Sequence, residues 1–301
     1  MESRQVSEKK SVPVCFGVIG GSGVYQMDGT EVVVEHDLST PFGRPSDPVV
    51  EADVEGTRVF FLPRHGKGHR LTPSEVPYRA NVHVLKQLGV THLLSVSAVG
   101  IMQEHIRPGD MVVPDQIFDR TKGIRPSTFF GDGIVGHVSL ADPFCDELRG
   151  VLAVAARACG ATVHEGGTYV CMEGPQFSTR AESNFYRASV DATVIGMTAI
   201  PEAKLAREAE MCYAMLAMGT DYDCWHEEEE DVSVEAVIAI LKANAALGNR
   251  VVLETAGQLP ATSACACQSA AQFAIITAPE AITTEAKKRL STLYGHYFDG
   301  E

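Results

Sequence analysis

Short apolar runs ending on glycine or polar tips alternate with stretches of helical spacing along this 301-residue chain, and that alternation restricts the fold more than any other feature. VPVCFGVI at 12–19 runs into GGSG, and TRVFFLP at 57–63, VTHLLSVSAVG at 90–100 and DMVVPDQIF at 110–118 read as further strands. Between them, VPYRANVHVLKQLG at 76–89 carries apolar residues at 76, 80, 82, 84, 85 and 88 and closes on glycine, the pattern of a helix. The second half repeats the scheme. A helix from Asp146 to Cys159 stops at Gly160, a strand follows in GTYVCMEG, and the capping box Thr179–Glu182 opens another helix. Then come a strand at TVIGMT, a helix at PEAKLAREAEM with proline in its first turn, an apolar run Met211–Met218, a helix in VSVEAVIAILKANAAL and two C-terminal helices. Such alternation implies an α/β fold: a central, mostly parallel mixed sheet with helices on both faces.

No repeat or low-complexity tract interrupts the pattern, and the Gly-, Pro- and Ser-rich stretch 121–144 reads as a long loop inside one domain. The expected organisation is a disordered tail over 1–12 and a single domain over 13–301. A net charge of -14 argues against partners such as a nucleic-acid polymer or an anionic membrane. The first ten residues, MESRQVSEKK, have no apolar core, and no run reaches spanning length, so a cytoplasmic protein is expected. The acidic run 227–231 reads as a solvated stretch or the edge of a lid. Eight cysteines, at 15, 145, 159, 171, 212, 224, 265 and 267, sit mostly alone in apolar segments, as buried free thiols do. Cys265 and Cys267 are the one close pair; redox closure or metal binding there is the minor reading, because no second Cys/His cluster stands at zinc-like spacing.

Three strand ends carry groups suited to an oxyanion. Gly20–Gly23, with Ser22, offers backbone N–H groups and a hydroxyl in a tight turn. Arg64 and His65 end a second strand, where Arg can grip phosphate with two N–H groups and His can donate a further bond. Ser97 and Ala98 end a third, with small residues that let backbone amides approach a ligand. Neither the dinucleotide fingerprint nor the phosphate loop of nucleotide hydrolases occurs.

GTDYDCW at 219–225 places Asp221 and Asp223 at i and i+2, on one face if the strand continues through them. Two carboxyls that close do not both ionise readily, so one keeps its proton near neutrality and serves as a donor. Such a pair suits adenine, whose N7 takes a proton as the base leaves while its amine wants an acceptor. A DxD metal site and a solvated turn remain open on these residues alone.

GGSG, STPFGRPSD, PRHGKGH, TPSEVPYRANVHVLKQLG, EGPQFSTRAES, GMTAIPEAKLAREA and GTDYDCW, in this order over about residues 15–250, resemble the trimeric purine nucleoside phosphorylase family. The resemblance implies the phosphorylase/hydrolase-like fold and phosphorolysis: methylthioadenosine plus phosphate gives adenine and 5-methylthioribose 1-phosphate, with phosphate as co-substrate and no cofactor. It implies a phosphate site of Ser22, Arg64, His65, Ser97, Ala98 and Thr198, with Met197 under the ribose and Gly196 beside it. Phe177 and Ser178 would face the purine, while Asp221 and Asp223 would engage N7 and the amine. Val234, Val237 and Ile238 would line a methylthio pocket completed by His137 of a neighbouring copy in a homotrimer. Two positions depart from the family's adenine-specific animal members, which often carry Asn where Gly196 stands and Thr where Ser97 stands. A 6-oxopurine nucleoside phosphorylase is therefore the alternative, although an Asp at 221 favours a 6-amino base. The alternative of another class is a nucleoside-binding protein without catalysis.

Overall fold

A computed structural model describes residues 11–21, 31–54, 56–226 and 234–298, with the backbone alone at residues 31, 234–237, 239 and 241–243. Its elements run β1 (Val12–Pro13), β2 (Phe16–Gly20), β3 (Glu31–His36), β4 (Val49–Val54), β5 (Thr57–Pro63), α1 (Tyr78–Gln87), β6 (His92–Ile101), β7 (Met111–Val113) and β8 (Gln116–Arg120). There follow α2 (Asp146–Ala158), β9 (Val163–Glu165), β10 (Thr168–Met172), α3 (Arg180–Val190), β11 (Ala192–Gly196), α4 (Ala199–Glu208) and β12 (Cys212–Asp221). The chain ends with α5 (Val234–Gln258), β13 (Thr262–Ser263), α6 (Thr284–Arg289) and α7 (Ser291–Phe298). Residues 1–10 of the expected tail lie outside the described residues, while Val12 and Pro13 pair with Ser263 and Thr262. The acidic run at 227–231 lies outside them as well.

Among the described residues eleven strands form one mixed sheet, with the path β3-β4-β5-β2-β6-β11-β10-β8 and a branch through β12, β7 and β9. Most pairs are parallel, and helices cover both faces. On one side Val82, Val84 and Leu85 of α1, Leu205 of α4 and Tyr294 of α7 join the core. On the other, Leu148 and Leu152 of α2 pack with Val251 and Val252 of α5. The capping box forms as its sequence requires: the Thr179 hydroxyl accepts from the Glu182 amide, and the Glu182 carboxylate accepts from the Thr179 amide.

The apolar segment 110–118 is not one strand. It divides at Pro114, which has no N–H to give a ladder, into β7 beside β12 and β8 beside β10. Cys265 and Cys267, which have no second Cys/His cluster at zinc-like spacing in the sequence, gain companions in the fold. Folding brings Cys145, at the start of α2, and Cys212, at the start of β12, to the same place. Sequence spacing could not show this, because the segments involved lie far apart along the chain. Among the described residues, no helix is long and apolar enough to cross a membrane.

Strand β6 positions everything that follows. Its first half, His92–Val96, pairs in parallel with β2, so β2 ends at Gly20 opposite Val96. Its last residues, Gly100 and Ile101, pair antiparallel with β11. The carboxyl ends of β2 and β11 therefore approach the middle of β6 from opposite directions and, among the described residues, leave Ser97–Val99 without a strand partner on that edge. Along the other edge β12 runs parallel to β6 and ends with Asp221 beside Gly100. Strand tips facing each other across a gap are where open α/β sheets hold ligands.

Candidate active site

The gap has a hydroxyl pair at one end. Ser97, on β6, and Thr198, just beyond β11, place their oxygens 3.5 Å apart, although they are separated by 101 residues. Ala98 follows Ser97 with a side chain too small to block the backbone. Ser22 lies outside the described residues.

Arg64 follows β5 and is only 1 % exposed. Its Nε donates to Glu202 Oε2 at 2.9 Å and its Nη2 to Glu202 Oε1 at 3.2 Å, with Nη2 also facing Ser95 Oγ at 2.7 Å and the Ile19 carbonyl at 3.1 Å. Nη1 donates to the Val96 carbonyl at 3.2 Å. Burial opposes the charge, but Glu202 more than offsets it and holds the guanidinium pKa above its ordinary value. The two-pronged grip on phosphate that this residue type permits is thus corrected. Among the described residues one Nη1 hydrogen is left uncommitted, so Arg64 offers a fixed positive charge and one donor. Sequence reasoning missed Glu202, whose carboxylate also accepts from Tyr213 Oη at 2.9 Å.

His65 is stacked on His69 with ring centroids 4.3 Å apart, and its Nδ1 lies 2.9 Å from the Leu71 carbonyl. Burial, reinforced by the charge of Arg64, lowers its pKa to about 4, so the ring is neutral at physiological pH. A carbonyl only accepts, so the single N–H of the neutral ring is on Nδ1 and Nε2 presents a lone pair. The expectation that His65 donates to an anion is corrected for this reason; it can accept from a P–OH group.

At the other end stand the two carboxyls, gathered by a turn rather than by a continuing strand. Strand β12 stops at Asp221, and Asp223 takes a left-handed conformation with φ of 54°. The Asp223 amide donates to Asp221 Oδ1 at 2.8 Å, closing an Asx turn, and the Thr220 hydroxyl lies 2.7 Å from Asp221 Oδ2. Burial raises the pKa of Asp221, opposed by those two bonds. Burial likewise raises that of Asp223; the Ser183 and Ser178 hydroxyls oppose it and the charge of Asp221 adds to it. Gly100 makes room for the pair: a Cβ there would stand 2.9 Å from Ile195 Cγ2 and 3.3 Å from Asp221 Oδ1.

Between these ends lie Gly196 and Met197. A Cβ on Gly196 would sit 2.1 Å from Tyr169 Oη, which explains why this chain has glycine there. Gly174, at φ of 68°, brings the 173–178 loop against the sulfur of Met197. Arg125, buried and unsuspected from sequence, ties this region together. Its Nη1 donates to the carbonyls of Met197 and Ile200, each at 2.7 Å, while its Nε bonds the Glu173 carboxylate at 2.7 Å. Ser178 places its hydroxyl 3.7 Å from Met172 sulfur. Phe177 is 41 % exposed and borders a groove that also includes Lys122, Met172 and Tyr186. That groove holds neither the phosphate residues nor Asp221 and Asp223.

Residues 234, 237 and 238 fall on one face of α5, with Ile238 half exposed; the side chains of Val234 and Val237 lie outside the described residues. His137 does not join the gap from its own chain. It lies exposed on the 121–144 loop, its amide donating to the Ala274 carbonyl at 2.9 Å, among the exposed apolar side chains of Val135, Phe273 and Ile276.

Residues 16–256 match the phosphorylase superfamily. S-methyl-5'-thioadenosine phosphorylase of Geobacter sulfurreducens is 56% identical over 282 residues, covering 94% of this chain and 98% of that protein. A methylthioadenosine phosphorylase from an antarctic soil metagenomic library has a crystal structure that is similar at a TM-score of 0.87 and 49% identity, covering 93% of this chain and 99% of that one. A mutant adenosine/methylthioadenosine phosphorylase of Schistosoma mansoni, solved in complex with methylthioadenosine, is similar at a TM-score of 0.77 and 39% identity, over 81% of this chain and 91% of that one.

Proposed function

This chain belongs to the phosphorylase superfamily, and from that premise we propose that it cleaves 5'-methylthioadenosine with phosphate to give adenine and 5-methylthioribose 1-phosphate. The observation that carries the proposal is the placement of a hydroxyl pair and a buried carboxyl pair along one strand. Ser97 and Gly100 are three residues apart on β6, about 10 Å at roughly 3.3 Å per residue, which suits an oxyanion beneath a ribose and a base beyond it.

Phosphate would occupy the Ser97, Ala98 and Thr198 end, with Ser22, under the charge of Arg64. The Nε2 lone pair of His65 would accept its remaining P–OH hydrogen. The ribose would lie over Met197, beside Gly196, and the base between Ser178, Phe177 and the carboxyls. As the C1'–N9 bond breaks, its electron pair passes to the purine and positive charge develops on the sugar. Protonated Asp221 gives its proton to N7, so the base leaves as neutral adenine. A phosphate oxygen then forms the bond to C1', having stabilised the cation before attack. Asp221 is left ionised and regains a proton from solvent. Asp223 accepts from the exocyclic amine; the two carboxyls titrate together. No redox or metal step is needed for this balance.

The apolar surroundings of His137 support the further reading that a neighbouring copy in a homotrimer covers the 5' end of the substrate, opposite Val234, Val237 and Ile238 on α5. A cytoplasmic location belongs to the same proposal. The base preference is tested by comparing kcat/KM for methylthioadenosine and inosine at saturating phosphate. The proposal expects methylthioadenosine to be preferred, because Asp223 accepts from an amine and an ionised acceptor repels the O6 of hypoxanthine. Equal or better use of inosine would overturn it.

A further inference from the structure

Four cysteines outside the nucleoside site converge on one point. Cys145 precedes α2, Cys212 begins β12, and Cys265 and Cys267 flank the start of a short 3-10 turn over Ala266–Ser269. Their sulfur atoms all lie within 4.8 Å of one another, with Cys145 and Cys265 at 3.6 Å. All four are free thiols and all are buried, at 2, 0, 9 and 6 % exposure.

We infer that these four cysteines form a tetrahedral site for a single zinc-type, thiolate-preferring divalent cation that fastens the C-terminal segment to the sheet. Four thiolates at about 2.3 Å from zinc have sulfurs about 3.8 Å apart, which matches this packing without large movement. Two disulfides would require only pairwise approach at about 2.05 Å, whereas here each sulfur adjoins the other three. The ligand set, four sulfurs and no oxygen, selects zinc over magnesium or calcium. Binding breaks four S–H bonds, forms four metal–sulfur bonds and releases four protons to solvent; no atom changes oxidation state.

The surroundings fit the double negative charge of the resulting tetrathiolate centre. Cys145 is the N-cap of the 13-residue helix α2, whose amino end favours a thiolate. Among the described residues, the donors Arg207 Nε and Gln268 Nε2 are buried without a hydrogen-bond partner, and Gln268 is the residue after Cys267. The site would join three segments distant in sequence. It would also fix the strand β13 that pairs with β1.

The test is elemental analysis of the full-length chain, purified under reducing conditions from zinc-supplemented medium and dialysed. One zinc per chain is expected, replaceable by cobalt with the appearance of thiolate-to-cobalt charge-transfer absorption. The Cys265→Ser/Cys267→Ser double variant should lose both the zinc and that absorption, and removing zinc from the parent should lower its melting temperature. Because the variant could fail to fold, the parent is decisive. Zinc-free parent protein after exposure to Zn2+ overturns the inference whether its eight thiols titrate as free or fewer titrate because disulfides have formed.

Discussion

Glu202→Ala removes the anion that allows Arg64 to be charged inside the protein. The structure sets the size of the effect. Arg64 and Glu202 are each 1 % exposed and joined by two bonds, at 2.9 and 3.2 Å. Without Glu202 the guanidinium keeps the Ile19 and Val96 carbonyls and the Ser95 hydroxyl, which are dipoles and not counter-charges. Removing one partner of a buried ion pair typically costs about 3–5 kcal/mol. At about 1.4 kcal/mol per decade, the folding equilibrium falls by roughly two to four orders of magnitude. Phosphate is proposed to bind beside this same charge, so it should recover more stability in the variant than in the parent. Urea unfolding at matched ionic strength, in phosphate and in chloride, measures both quantities. A second variant, Arg64→Met/Glu202→Leu, exchanges the pair for apolar groups; it should restore most of the stability while losing the phosphate effect. A Glu202→Ala loss below about 1 kcal/mol, the range of exposed ion pairs, would show that Glu202 is not needed to hold the buried charge, and equal stabilisation of variant and parent by phosphate would show that phosphate does not bind beside it.

Three further substitutions probe the candidate site. Asp221→Asn should lower turnover of methylthioadenosine by about 10²- to 10⁴-fold, the usual contribution of a general acid, and isothermal titration should find phosphate binding little changed. Burial raises the Asp221 pKa, so its contribution to stability is present at acid pH and lost as pH rises through the folded value; the Asn variant should melt no lower than the parent at neutral pH. Thr220→Val removes a bond that favours ionised Asp221, so the pKa should rise further and the alkaline limb of the kcat/KM profile should move to higher pH; a shift to lower pH would contradict the acid role. Gly196→Ala places a methyl 2.1 Å from Tyr169 Oη and should cost about 1–3 kcal/mol in thermal unfolding, partly recovered by Tyr169→Phe; an unchanged melting temperature would show that the ring moves freely.

Elements with a local signature were legible in the sequence. The apolar spacing of 76–89 and the Thr179–Glu182 pair each specify a helix through neighbours within four residues, and both helices form. The hairpin β3–β4 was not, because Val32, Val33 and Val34 are exposed together and a register shift breaks the alternation that marks a half-buried strand. The carboxyls and hydroxyls of the candidate site stood out in the sequence because they sit in compact strings at strand ends. Their partners could not. Glu202 lies 138 residues from Arg64, and Arg125 serves Glu173 and Met197 from a loop with no periodicity. Likewise Cys145 meets Cys265 across 120 residues, so only the fold reveals four sulfurs where the sequence shows one pair. The Asx turn at 221–223 escaped for a related reason: i and i+2 spacing looks the same in a strand and in a turn until Asp223 adopts positive φ.

In the proposed reaction phosphate itself attacks the sugar while a protonated Asp221 releases the base. Phosphorus NMR of methylthioadenosine incubated with the protein measures it most directly. A sugar 1-phosphate resonance should grow in step with free adenine, and no adenine should form in phosphate-free buffer. Adenine released without phosphate, together with free methylthioribose, would contradict it.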